Sequence, residues 1–371
     1  MSGEGYHNLV KEVHRIYAYM TEGFDTASFI GQANVRDNFN ASPEEARLYN
    51  KDFYLSARGF DEAHSTATDT LDRAYLYASE GDDYLSLVDD EIELRGDNFT
   101  LHTSNYNYAR VSANQGGLDE AHLRGTNLND YLRSRPTEAT FDYGKRRLIA
   151  GGFERIVAVA STGNDTADFY DSHYTDVFSA DSERASIKNA INETTAIGFK
   201  QVNAYMEAGG DDSATIGGSK AADRFQVSPT DWTMQGNGSF LFGSGFTNVT
   251  CHGESHDKIY LYDSSGNDKL EIREDRVTMS GQRFSNTAIG FGKVNSEATI
   301  FGRGFSYNAT GFDGIDAYYS TLDGKDNVDL DGNIEYDLLA TDLAEARYQL
   351  SLALTSDSDR ITQKSRVKKL L

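Results

Sequence analysis

The sequence predicts an all-β right-handed parallel β-helix, a solenoid, and three observations carry that prediction. Aspartates recur every 45–47 residues along most of the chain. Short runs of alternating apolar and polar residues recur with the same period. Near the C-terminus one period is short by about 24 residues, yet the pattern resumes beyond it. A fixed period of this size marks a stacked or radial repeat.

The first ladder is Asp25, Asp72, Asp119, Asp165, Asp212 and Asp257, and a second follows 11 or 12 residues behind at Asp37, Asp83, Asp130, Asp176, Asp223 and Asp268. Each member precedes a small, β-branched or large apolar residue by two positions. An Asp at a coil corner can accept backbone N–H bonds in an Asx-turn, so a structural role is expected. Four alternations fill each period. Ile156-x-Ala158 typifies the first, Ala167-x-Phe169 the second, Phe178 the third and Ile187 the fourth. Period-2 alternation over a few residues reads as strands with one buried face. A Gly-Phe pair precedes the first strand at Gly59, Gly152, Gly198, Gly245, Gly290 and Gly311, with Phe read as a corner plug and Gly as the turn beside it. Gly23-Phe24 falls instead in the register of the Gly163-Asn164 turn.

Four strands in about 46 residues fit two coils of roughly 23 residues, or one blade of a seven-bladed β-propeller. The short period decides between them. Val294 is followed directly by Ala298-Thr-Ile300-Phe301, spaced like Ala46–Tyr49 of the fourth strand. A solenoid can lose a coil and keep stacking; a propeller blade cannot lose its two middle strands. Residues 1–340 are therefore expected to form one repeat domain with a short cap within Leu9–Met20. Leu339–Leu354 has helical spacing and reads as a capping helix, so residues 341–371 make a C-terminal cap and a basic tail.

Composition narrows the partners. With 58 acidic and 35 basic residues the formal charge is −23, which disfavours nucleic acid and anionic membranes as partners. No run approaches the roughly 20 apolar residues of a bilayer span, so no membrane insertion is expected. One cysteine, Cys251, forbids an intramolecular disulfide. Met1–Gly5 lacks the basic and apolar regions of a signal peptide, which leaves an intracellular protein or a mature fragment carrying an added initiator Met; the chain is read as the fragment.

Lys258–Asp268 (KIYLYDSSGND), Thr166–Ser172 (TADFYDS) and, more loosely, Arg73–Asp83 resemble the tandem units of large secreted bacterial surface proteins of the planctomycete type, built on the phrase D-x-A-x-L-Y-D-S-x-G-N-D. The resemblance covers roughly residues 13–340. It implies a repeat scaffold at the cell surface and no particular activity; Ser213–Asp223 has drifted from the phrase.

Several groups are candidate sites. Gly-Asn-Asp turns look like half of a calcium-binding nonapeptide, so Asp82, Asp83, Asp263, Asp268, Asp326 and Asp331 are candidate calcium ligands; solvated acidic turns are the plain alternative. If the strand through Cys251 runs on to residue 256, then His252, Glu254 and His256 share its outward face as a transition-metal set. Outward Tyr75, Tyr77, Tyr170, Tyr260 and Tyr262 suit either stacking on sugar rings or aromatic ladders that stabilise the sheet. No nucleophile elbow, phosphate loop or His-Glu-x-x-His occurs, which leans away from an enzyme. The expected function is a structural or interaction segment of an extracellular surface, matrix, fibre or adhesion protein, partnered end to end by itself or by surface polysaccharide. The alternative is a polysaccharide-binding or polysaccharide-degrading β-helix.

Overall fold

The computed structural model describes residues 13–262, 264 and 276–291 in full, plus the backbone of short strands outside them. All secondary structure among the described residues is β. The two-residue strands β1 (Ser2–Gly3) and β2 (Tyr6–His7) form an antiparallel pair of their own. The chain divides into two units, Met1–Asp165 with Asn192–Thr194, and Thr166–Ile191 with Thr195–Leu371.

Unit 1 winds between two sheets. The first receives β3 (Arg15–Tyr19) and the second β4 (Thr26–Ile30). The chain then returns to the first sheet as a three-strand meander of β5 (Asn38–Ala41), β6 (Glu45–Tyr49) and β7 (Tyr54–Arg58). The meander runs backwards along the sheet. Its last strand, β7, pairs in parallel with β3, while its first, β5, is left to pair in parallel with a later strand.

The next period repeats this with the sheets exchanged. β8 (Glu62–Thr66) joins the second sheet, β9 (Arg73–Tyr77) the first, and the meander β10 (Tyr84–Val88), β11 (Glu91–Gly96) and β12 (Phe99–Ser104) the second. A third period exchanges them again. β13 (Tyr108–Ser112) lies in the first sheet and β14 (Glu120–Arg124) in the second. The meander β15 (Tyr131–Arg135), β16 (Glu138–Tyr143) and β17 (Arg146–Gly151) returns to the first. β18 (Arg155–Val159) follows, parallel to β14.

Strands one round apart pair in parallel at offsets of 35–39 residues. This is a β-solenoid. Radial antiparallel blades would have no such parallel ladder, so the propeller is excluded. The Phe29 and Phe39 rings, from β4 and β5, meet at 5.5 Å and tie the two sheets through one core. Inward residues such as Phe39, Leu48, Leu85 and Leu101 are fully buried. Burying such a side chain contributes about 1.5–3 kcal/mol, available only because neighbouring rounds cover each other.

The repeat holds five strands rather than four. The additional one closes each meander, as β7, β12 and β17 do in unit 1. A clear signal for it is Asn237-Gly238 in unit 2, the turn joining β26 (Asp231–Gly236) to β27 (Ser239–Ser244). Both residues have positive φ, 47° and 76°, the requirement of a two-residue hairpin for which Asn-Gly is the preferred pair.

In unit 2 one sheet contains β19 (Thr166–Tyr170), β23 (Gln201–Tyr205), β27, β26, β25 (Arg224–Val227) and β29 (Lys258–Tyr262). Towards the C-terminus β33 (Ala298–Gly302) pairs in parallel with β29, and β35 (Ile315–Tyr319) with β33. The alignment of Ala298–Phe301 with the fourth strand at Ala46–Tyr49 is thereby corrected: that strand pairs antiparallel in a meander, whereas Ala298–Gly302 pairs in parallel on both sides. Among the described residues beyond it there is no meander. Five of the six Gly-Phe corners are as expected, and Gly311-Phe312 lies outside the described residues. Phe60, Phe153, Phe199, Phe246 and Phe291 are buried, each after a glycine with φ between +76° and +85°. Phe24 is 71% exposed, in keeping with its place in a turn. At the N-terminus, Arg15–Tyr19 is the strand expected at Ile16-x-Ala18, and residues 9–12, where the cap would start, lie outside the described residues. The helix expected at Leu339–Leu354 also lies outside them apart from Leu339, which ends a strand.

Candidate functional site

The aspartate ladders are an internal device of the solenoid corners. Asp37, Asp72, Asp83, Asp119, Asp130, Asp165, Asp176, Asp212, Asp223 and Asp257 are each at most 3% exposed. They work in pairs from adjacent rounds. The backbone N–H of Asp37 donates to Asp72 Oδ1 at 2.7 Å, that of Asp83 to Asp119 Oδ1 at 2.8 Å, and that of Asp130 to Asp165 Oδ1 at 2.7 Å. In unit 2 Asp176 donates to Asp212 and Asp223 to Asp257, both at 2.8 Å.

The second carboxylate oxygen usually serves the turn behind. Thr68 and Asp69 N–H donate to Asp72 Oδ2, and Ser79 N–H to Asp83 Oδ2. Each carboxylate thus stands in for a backbone carbonyl where the chain swings away from its ladder, and it satisfies donors that would otherwise be buried unpaired. Asx-turn acceptance at the corner is the role found. Across adjacent rounds the link is from the backbone N–H of one aspartate to the carboxylate of the next.

Burial of these carboxyls has an electrostatic consequence. Asp119 is pushed up to about 7, first by burial and then by the neighbouring Asp83 charge, against an ordinary 3.8. Asp212 is pushed up to about 6 for the same first reason. A carboxyl that keeps its proton longer in the folded chain contributes stability below its folded pKa, and this is lost as pH rises through that value. Glu45 has the opposite sign. Hydrogen bonding from Arg47 holds it down at about 2, so its contribution is lost as pH falls from 4.5. Unit 1 is expected to lose stability as pH rises from about 3.8 to about 7, and Asp119→Asn should recover about 1–2 kcal/mol at the upper end. Denaturant melts of both proteins at the two pH values check this; parallel pH curves would refute it.

The candidate metal residues are distributed as follows. Asp83 is buried and Asp82 exposed, and Asp82 Oδ1 accepts the Leu118 N–H at 2.8 Å. Asp268 belongs to a strand described only by its backbone; Asp263, Asp326 and Asp331 lie outside the described residues. The proposed shared face of His252, Glu254 and His256 does not exist, because the strand through Cys251 ends at His252. Glu254 and His256 belong to the turn that Asp257 organises, its Oδ2 accepting the Glu254 N–H at 2.7 Å. Among the described residues no three His, Cys, Asp or Glu side chains are grouped to hold a metal ion. Cys251 is buried, and burial pushes its thiol pKa well up.

The tyrosines do lie on outward faces. Tyr75 packs near Tyr108 at 6.1 Å, and Tyr77 is 39% exposed. In unit 2 Tyr170 stacks on Tyr205 at 5.3 Å, Arg224 sits 4.3 Å over the Tyr260 ring, and the Tyr262 hydroxyl accepts from Gln226. Strand register adds a pair that sequence spacing does not suggest. His64 and His102, from β8 and β12, stack at 4.5 Å, with Glu62 3.2 Å from His64 Nε2 and Glu93 3.6 Å from His102 Nδ1.

No family model, curated protein or solved structure matches this chain.

Proposed function

We propose that the chain is a structural and interaction segment of an extracellular surface, matrix, fibre or adhesion protein. The observation that carries this reading is the fate of its recurrent carboxylates. They are buried at corners and engaged by backbone N–H groups, an arrangement that holds rounds together and leaves little for acid–base work. The outward sheet faces, with their tyrosines, are then the surfaces that meet partners, and surface polysaccharide is the partner class that aromatic faces of this kind suit.

Incubation with a panel of anionic and neutral polysaccharides is expected to release no new reducing ends and no unsaturated products. Product formation abolished by a single carboxylate substitution would replace this reading with a polysaccharide-degrading enzyme. A calcium-dependent adhesin is a narrower form of the proposal, with Asp82 and Asp83 its described candidates. It predicts a melting temperature that rises with millimolar calcium and falls with chelator, and it fails if neither shift occurs.

A further inference from the structure

Net charge is a poor guide to the faces of this molecule. The acidic excess is partly stored in the corners, where ten ladder aspartates are at most 3% exposed. The outward face of the first sheet of unit 1 has the opposite character. Its strand order is β3–β7–β6–β5–β9–β13–β17–β16–β15. Nine strands at about 4.8 Å spacing make a face about 38 Å long.

One row across it, in register, runs from Arg15 through Tyr54, Tyr49 and Arg73 to Tyr108 and Arg147, ending at Tyr131. The next row carries Tyr17, Arg47, Tyr75, Arg110 and Arg133, and the third Tyr19, Arg58, Tyr77 and Arg135. The face thus bears eight arginines, eight tyrosines and no lysine, against three carboxylates, Glu45, Asp142 and Glu138. The solenoid does not require this. The other sheet of unit 1 balances four glutamates with three arginines. The tyrosine-bearing sheet of unit 2 balances Arg224 and Lys258 with Asp168 and Asp231.

We infer that this arginine–tyrosine face of unit 1 is a docking surface for a linear acidic polysaccharide. The inference rests on the non-catalytic interaction role proposed above and names its ligand class and its place. Guanidinium forks match carboxylates bidentately, which a lysine face would not. Tyrosine presents an apolar ring with a polar rim, suited to a sugar ring's mixed faces. Arg73 lies 5.2 Å over the Tyr108 ring, and Tyr17 and Tyr54 are 5.8 Å apart, so cation and ring are offered together.

Charge density favours a glycan over nucleic acid. Arg47, Arg58, Arg110 and Arg147 are within ion-pair reach of Glu45, Glu138 or Asp142. Eight arginines against three carboxylates make a moderate positive excess, matched to carboxylates separated by uncharged sugar surface. A duplex carrying a charge every 1.7 Å or so would demand more neutralisation than this face supplies.

The test is binding of the full chain to polygalacturonate, a neutral glucan of equal length and single-stranded DNA, at low and high salt. Polygalacturonate should bind best, and more weakly as salt rises. The double variant Arg15→Gln with Arg73→Gln should weaken it about tenfold, with the melting temperature unchanged. Arg224→Gln with Lys258→Gln, on unit 2, should leave binding as it was. Equal losses from both variants, no binding, or preference for DNA or glucan would each overturn the inference. Release of reducing ends in the same tubes would instead overturn the non-catalytic reading, so the two failures are told apart.

Discussion

Asp176→Ala is expected to destabilise unit 2 by about 3 kcal/mol. Asp176 is fully buried, and its Oδ2 accepts both the N–H and the hydroxyl of Ser172 at 2.8 Å. Its Oδ1 accepts from Asn189 Nδ2 at 3.0 Å. Alanine removes every one of these acceptors and opens a polar void, while the Ser172 N–H stays buried with nothing to bond. Hydrogen bonds to a charged group contribute about 1.5–3 kcal/mol each, and an orphaned buried donor costs its desolvation besides. Asp176→Asn should lose roughly half as much, since one carbonyl oxygen remains for Ser172. Amide exchange supplies a local readout: the Ser172 N–H should lose protection, whereas amides of unit 1 should not. A loss below about 0.5 kcal/mol would mean that the corner carboxylates are incidental.

Gly245→Ala should cost a comparable amount, about 2–4 kcal/mol. Gly245 adopts φ +83°, and a Cβ there would lie 2.0 Å from the Met206 carbonyl oxygen and 2.8 Å from its carbon. Both atoms belong to the backbone of the neighbouring round, so relief requires moving a strand rather than turning a side chain. Gly209→Ala separates the two contributions. Gly209 has φ +94°, and a methyl group there would meet nothing within 4 Å, so only the backbone preference acts, at about 1 kcal/mol. Chemical denaturation of the pair checks the difference. Equal losses would show that the close approach of rounds is not what requires glycine at residue 245.

Much of the fold is legible in the sequence because the solenoid reuses one set of physical requirements. Alternation at Ile156-x-Ala158 or Ala167-x-Phe169 follows from one buried face, and the Gly-Phe corners follow from a left-handed turn beside a plug. The closing strand of each meander is harder to see. Its inward residues are often small or polar, as at Thr194-x-Ala196, Leu241-x-Gly243 and Asn286-x-Ala288, so apolar alternation fades where a partner side chain fills the space. Pairing direction is less legible still, since period-2 alternation is the same in parallel and antiparallel strands. The arginine–tyrosine face is unreadable for a related reason. Arg15, Arg73 and Arg147 are scattered along the chain, and only the register brings them into one row. Total charge likewise does not say which carboxylates are hidden.

The exchange of sheets from one period to the next gives the array a parity. Excising a single period, such as residues 62–107, would oblige the following one to enter on the opposite side, turning each of its outward side chains to the other flank. Excising two would restore the original assignment. Gain or loss of repeats by duplication therefore preserves a surface only in even steps, much as a reading frame survives only insertions of whole codons.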